Sequence, residues 1–158
     1  MGKKKGNLKI CFTASSGGHY DQLLMLEPLM RKYESFIVTE KTLYKTGVSN
    51  KKMYYLCQVN RKEKSFIRFM FTNTLKSIYI LWVENPDVVI STGVLATIPI
   101  CLFAKIAGKK LVYIESFAKV TSPTKTGKLM YKIADQFYVQ WKSMLTIYPG
   151  AIYLGGIY

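Results

Sequence analysis

The chain has 158 residues, 49% of them hydrophobic and 14% aromatic, which suits one domain with one sizeable core and excludes a disordered tail. Its 23 Lys+Arg against 9 Asp+Glu give a formal net charge of +14. Such an excess attracts a membrane surface, nucleic acid or phosphorylated substrates, although a merely solvated basic face would have the same composition. Cys11, Cys57 and Cys101 lie far apart in apolar runs, which excludes a regular disulfide framework and reads as reduced core residues of a cytosolic protein. With one histidine and no close cysteine pair, no metal site is expected.

Residues 1–7, MGKKKGN, read as a basic tail with no signal-peptide core behind it, and Gly6 stands where a myristoylation pattern needs Ser or Thr. Leu8–Thr13 is a short apolar run suited to a buried parallel strand. Gly17 and Gly18 turn the chain into a helix over His19–Lys32, and Ser35–Thr39 and Met53–Cys57 read as the second and third strands. Basic residues (Lys51, Lys52, Arg61, Lys62, Lys64 and Arg68) are scattered among aromatics before and into the next helix, Ser65–Val83. That segment is long, but it holds Arg68, Asn73 and Lys76. It reads as an amphipathic helix lying in a membrane interface through a broad face of Phe66, Phe69, Met70, Leu75, Ile78, Tyr79 and Trp82, with Phe66, Phe69, Met70 and Trp82 as the chosen contacts, and with a core helix having a polar edge as the alternative. Val88–Ala104 carries no charge and reaches the lower length of a membrane span, yet Gly93 and Pro99 interrupt it. It reads as a strand over Val88–Ser91, a glycine loop, and a buried helix over Leu95–Ala107. Lys110–Ser116 is a strand, Thr126–Ala134 a helix, and Gln136–Gln140 and Ala151–Gly155 two last short strands.

Strands separated by helices imply an α/β fold: a single Rossmann-like domain with an open, mostly parallel sheet and helices on both faces. Ligands of such sheets bind outside the carboxyl ends of the strands, where three loops would meet: ASSGGH, STGVLAT and ESFAKVTSPT. His19, the only histidine, begins a helix there. The positive helix end favours a neutral imidazole, which can take a proton from a hydroxyl; capping the helix or hydrogen-bonding a ligand are the plainer roles. Glu115 ends an apolar strand, where a carboxylate needs a partner or a cleft, so it is either a site residue or one half of a lysine ion pair.

No G-x-x-x-x-G-K-[ST] loop occurs, and SSGGHY lacks the full dinucleotide fingerprint; Glu40 is only a weak substitute for its ribose-binding acid. The rival reading, a stand-alone nucleotide- or RNA-binding α/β protein, rests on charge and 12 tyrosines. No RNP-like strand supports it, so no nucleic-acid partner is expected.

The strand–SSGGH–helix opening resembles the glycine loop of the peptidoglycan glycosyltransferase that makes lipid-linked disaccharide. VVISTGVLATIP…GKKLVYIESFAKV resembles its second glycine loop and following strand. Over nearly the whole chain, SSGGH (Ser15–His19), STG (Ser91–Gly93), YIESFAKV (Tyr113–Val120), AD (Ala134–Asp135), VQW (Val139–Trp141) and YPGAIYLGGIY (Tyr148–Tyr158) resemble a small subunit of two-part glycosyltransferases. That family comprises the membrane-recruiting subunit of the dolichol-linked N-acetylglucosaminyltransferase and its bacterial capsule and exopolysaccharide relatives.

The resemblance implies the N-terminal half of a GT-B fold, one domain over 1–158, at the cytoplasmic face of a membrane as a peripheral protein. It implies an acceptor-side, membrane-recruiting role in adding a sugar to a polyprenyl-pyrophosphate-linked glycan for capsule or exopolysaccharide. The eukaryotic relatives carry an N-terminal membrane helix, so here an anionic membrane surface would be met by the basic surface and Ser65–Val83. A separate catalytic subunit would bind the UDP-sugar, this chain holding no cofactor and being nearly inactive alone. His19 would be the base and Glu115 would orient it or the acceptor sugar. Ser15, Ser16, Gly17, Gly18, Thr92, Gly93 and Ser116 would contact the acceptor and its phosphates. Gln140, Trp141, Tyr153 and Tyr158 would meet the partner.

Overall fold

A computed structural model describes residues 8–42 and 51–158; the basic tail at 1–7 lies outside the described residues. The strands are β1 (Lys9–Ala14), β2 (Glu34–Glu40), β3 (Lys52–Leu56), β4 (Val88–Gly93), β5 (Lys110–Ile114), β6 (Gln136–Val139) and β7 (Ile152–Tyr153). They form one sheet in the order β3-β2-β1-β4-β5-β6-β7, every adjacent pair parallel. Burial on both faces explains the unbroken apolar runs of the central strands. The chain walks outward from β1 to β3, then crosses back to β4. The topological switch therefore falls between β1 and β4, where open α/β sheets form their ligand crevice.

Two layers of helix cover the sheet. On one face Tyr20, Leu23 and Met30 pack on Ile10, Phe12, Ile37 and Ile90. These come from α1 (Gly18–Leu24) and α2 (Glu27–Lys32). The sequence predicts one helix over His19–Lys32. Pro28 divides it, because proline is tolerated in a first turn but breaks a helix interior, and the chain restarts at Glu27. The other face carries α3 (Phe66–Glu84), α4 (Ile98–Ile106) and α5 (Lys125–Ile133), with Ile80, Leu81, Ile100, Cys101, Ala104 and Met130 in its core. The uncharged run Val88–Ala104 is thus strand, loop, a short 3-10 turn at Leu95–Thr97 and the start of α4. Among the described residues, no helix is long and apolar enough to cross a membrane.

Helix α3 exposes only part of the expected membrane face. Phe66, Phe69 and Met70 are half-buried, and only Trp82 of the four chosen residues is exposed, at 79%. The helix is turned by Asn73, whose carboxamide oxygen accepts from the Cys57 N–H at 2.7 Å and whose NH2 donates to the Cys57 carbonyl at 2.8 Å. A buried backbone pair at the end of β3 is costly to leave unmet. Asn73 and Ser77 therefore face inward. The exposed row keeps Leu75, Tyr79 and Trp82 of the expected face and adds Ile67 and Phe71, spaced at the i+3 and i+4 steps of one helix face.

Candidate functional site

The loop after β1 and the loop after β4 are fastened to each other across the switch point. The Ser15 N–H donates to the Gly93 carbonyl at 2.7 Å. The Thr92 hydroxyl donates to the His19 carbonyl at 2.7 Å, and His19 Nδ1 lies 2.9 Å from the Thr92 carbonyl. A carbonyl only accepts, so Nδ1 carries the proton of that bond, and in the neutral imidazole Nε2 keeps a lone pair. Gly93 at this junction has no room for a side chain against Tyr113. Its φ is +94°, and an added Cβ would lie 2.8 Å from the Tyr113 hydroxyl and 3.8 Å from His19 Nδ1.

Glu40, at the end of β2, braces the first loop. One carboxylate oxygen accepts from both the N–H and the hydroxyl of Ser16, each at 3.0 Å. The other accepts from the Val59 N–H at 3.2 Å. Glu40 is buried; what the sequence offered as a weak ribose contact is an internal strut. An acid closing an apolar strand was the available signal. The consequence for the expected phosphate contacts is direct: the N–H groups of Ser15 and Ser16 and the hydroxyls of Ser16 and Thr92 are spent inside the protein.

Glu115 follows β5 and is 1% exposed. It is not the lysine ion pair that the strand end allowed, nor does it face a cleft. Its oxygens accept from the Ser116 N–H at 2.9 Å, the Thr124 hydroxyl at 2.9 Å, the Thr124 N–H at 3.3 Å and the Tyr148 hydroxyl at 2.9 Å. Thr124 also caps α5, accepting from the Gly127 N–H at 2.7 Å. Glu115 thus clamps the Ser116–Pro123 loop to α5 and to Tyr148. The strong desolvation of Tyr148, with the Glu115 charge beside it, raises the phenol well above its ordinary value.

Gln140, expected at a partner interface, is 4% exposed. Its NH2 donates to the Glu115 carbonyl at 2.8 Å and to Gln22 Oε1 at 3.3 Å, and its oxygen accepts from the Ile157 N–H at 3.2 Å. A buried amide must satisfy itself internally, which is why it holds the rim together instead of facing outward. Trp141 is half-buried, and its indole N–H donates to the Phe117 carbonyl at 2.6 Å. Tyr153 and Tyr158 are exposed.

These braces leave an open pocket of about 410 Å³ on the rim. Gly18, His19, Gln22, Ser116, Phe117, Ala118 and Tyr158 line it. Of the expected site residues it unites Gly18, His19, Ser116 and Tyr158; Ser15, Ser16, Thr92, Gly93 and Glu115 support it from behind. Gln22 and Phe117 were not anticipated. Phe117 stood in the run YIESFAKV, but nothing in that run distinguishes a rim ring from a core ring.

A family model described as "Oligosaccharide biosynthesis protein Alg14 like" matches residues 10–157. The rat UDP-N-acetylglucosamine transferase subunit ALG14 is 28% identical over 184 aligned residues, covering 96% of this chain and 83% of the relative. The Schizosaccharomyces pombe subunit alg14 is 43% identical over 75 residues, 44% of this chain and 36% of the relative. Among solved structures, Acinetobacter baumannii MurG superposes with a TM-score of 0.65 at 15% identity, over 84% of this chain and 41% of that one. The UDP-N-acetylglucosamine 2-epimerase of Rickettsia bellii gives a TM-score of 0.74 at 12% identity, over 96% and 45%. The chain spans less than half the length of these solved structures, and at such identities they bear on the fold alone. They share its open parallel α/β architecture, the half of a GT-B fold that the sequence resemblance implies.

Proposed function

The chain belongs to the Alg14-like family of oligosaccharide biosynthesis proteins, and from that membership we propose that it is the acceptor-side subunit of a two-part glycosyltransferase. A separate subunit would bind the nucleotide-sugar, and this chain would hold the lipid-linked acceptor at the rim pocket. The relatives' names speak of UDP-N-acetylglucosamine transfer and carry no capsule or exopolysaccharide context. UDP-N-acetylglucosamine is therefore the first donor to test, and the glycan product is defined only as an extended polyprenyl-pyrophosphate-linked acceptor.

The observation that carries the proposal is His19. Its Nδ1 is committed to the Thr92 carbonyl, so Nε2 is the basic atom, and the residue lines an open pocket at the sheet's switch point. In the reaction, the acceptor hydroxyl attacks the anomeric carbon of the UDP-sugar. The new O–C bond forms, the bond from that carbon to UDP breaks with its electron pair leaving on UDP, and the hydroxyl proton passes to His19 Nε2. Glu115 acts behind this as a positioning residue for the Ser116–Phe117 wall.

Membrane contact is assigned to the exposed α3 row Ile67, Phe71, Leu75, Tyr79 and Trp82. Arg61, Lys62, Lys64 and Arg68 are exposed at the helix start. An apolar row flanked by cations fits an anionic bilayer surface, which in this reading is the cytoplasmic one. Tyr153 and Tyr158 remain candidate partner contacts.

The test is reconstitution with the donor-binding subunit and a polyprenyl-pyrophosphate acceptor. His19→Ala should lower kcat by about a hundredfold to ten-thousandfold, with the complex intact by size-exclusion chromatography. A kcat within about threefold of wild type, far below that range, moves the base to the partner.

A further inference from the structure

We propose that the rim pocket is a subsite for the uncharged sugar ring of the acceptor, with Phe117 as its stacking platform, and that the pyrophosphate lies outside it. This rests on the acceptor-side reading above and goes beyond it by dividing the acceptor between two places.

The lining is the first ground. The chain has 23 Lys+Arg, yet among the described residues none lines this pocket. Phosphate groups are held by Arg or Lys and by free backbone N–H groups. Four donors of the neighbouring loops are already consumed, the Ser15 N–H by Gly93, the Ser16 N–H and hydroxyl by Glu40 and the Thr92 hydroxyl by His19, which leaves only the short first turn of α1 with uncommitted N–H groups. The buried Glu40 carboxylate also sits directly behind the Ser16 turn, where its charge opposes a second anion.

The platform is the second ground. The Phe117 ring is 4.9 Å from Trp141 and 4.9 Å from Tyr158, centroid to centroid. Its carbonyl is pinned by the Trp141 indole, so the ring is held in place before any ligand arrives, which lowers the ordering cost of binding. A pyranose presents axial C–H bonds on its faces and hydroxyls at its edge. It therefore needs an apolar plate and a few lateral polar groups, the usual composition of a small-molecule site. Gln22 supplies them: its oxygen is occupied by Gln140, which leaves its NH2 as donor, and Ser116 and His19 stand on the same wall. Phe117 and His19 line the same pocket, so a ring stacked on Phe117 lies within reach of the imidazole. The volume of about 410 Å³ is at the small end of the roughly 300–1,000 Å³ range of ligand pockets, right for a sugar and not for the polyprenyl chain.

The experiment is NMR titration of the full chain, without partner, using methyl N-acetyl-β-glucosaminide and, separately, inorganic pyrophosphate. The glycoside should shift the ring signals of Phe117 and His19 and the Trp141 indole N–H at millimolar concentration, and pyrophosphate should neither reproduce nor reverse those shifts. Phe117→Ala should weaken glycoside binding about tenfold, the scale of one lost ring contact, and Phe117→Tyr should retain it. Circular dichroism of both variants checks that they fold. Pyrophosphate shifting these signals in place of the glycoside, or no glycoside shift at all, overturns the proposal. In the reconstituted pair, Phe117→Ala should raise the acceptor KM and leave the donor KM unchanged. Glycoside binding by a chain whose pair transfers no sugar would overturn the acceptor-side reading and leave the sugar subsite standing.

Discussion

Every polar group that reaches the Glu115 carboxylate is a donor: the N–H of Ser116, the N–H and hydroxyl of Thr124, and the hydroxyl of Tyr148. A carboxylate satisfies all of them because it only accepts. Glu115→Gln would turn an NH2 toward these donors, and each unmet buried group costs about 1–3 kcal/mol. The chain alone should therefore melt several degrees lower, by roughly 2–4 °C per kcal/mol for a domain of this size. An unchanged Tm would mean that the clamp does not hold the loop. Gly127 belongs to the same device. An added Cβ there would lie 1.9 Å from Glu115 Oε2, so a residue that weakens most helices is the one that lets the carboxylate reach the start of α5.

At the scale of elements, α3 buries Asn73 and Ser77 beside Ile80 and Leu81 and leaves a row of large apolar groups outside. The inner face is committed by Asn73 to the end of β3, and the outer row is free to meet a bilayer. Each large side chain withdrawn from water is worth on the order of 1.5–3 kcal/mol. Phe71→Ser with Leu75→Ser should cut flotation with anionic vesicles by more than about tenfold without changing the Tm. Phe69→Ser, on the half-buried side, should lower the Tm instead. Added salt should weaken flotation of the wild type, since the cations at the helix start act through a screened field. Flotation that ignores the double substitution would remove α3 as the contact.

For the whole molecule, two acidic residues tie the strand starts and helix ends together. Burial by itself would raise the Glu84 carboxyl, but Lys52 at 2.6 Å, Lys9 at 2.7 Å and the Tyr54 hydroxyl overcome it and hold it at about 2. The Leu111 N–H at 2.7 Å and the Lys105 ammonium at 2.9 Å hold Asp135 at about 2. Both folded values lie below the ordinary 4.5 and 3.8. Their contribution is therefore complete above about pH 5 and disappears as the pH falls toward 2. The urea midpoint should drop steeply across that window. Glu84→Gln with Asp135→Asn should lower it already at pH 7 and flatten its fall in acid; an unchanged slope would show that other carboxyls control acid unfolding.

The sequence by itself determined the alternation of seven strands with helices, the three rim loops and the position of His19. Apolar runs, glycine and proline act within a few residues, so their effect can be read along the chain. Even there Pro28 went unread, and one expected helix is two. Tertiary structure alone decided which way side chains face and which groups are already satisfied. Asn73 reaches back 16 residues to Cys57, Glu40 reaches 24 to Ser16, Tyr148 reaches 33 to Glu115, and Gln140 meets Gln22 across 118. A buried polar group must find a partner wherever packing brings one, and no local period records that partner. That is why Ser15, Ser16 and Thr92 are internal braces while Gly18 and Ser116 line the pocket, why Gln140 is buried, and why only part of the expected apolar face of α3 is exposed.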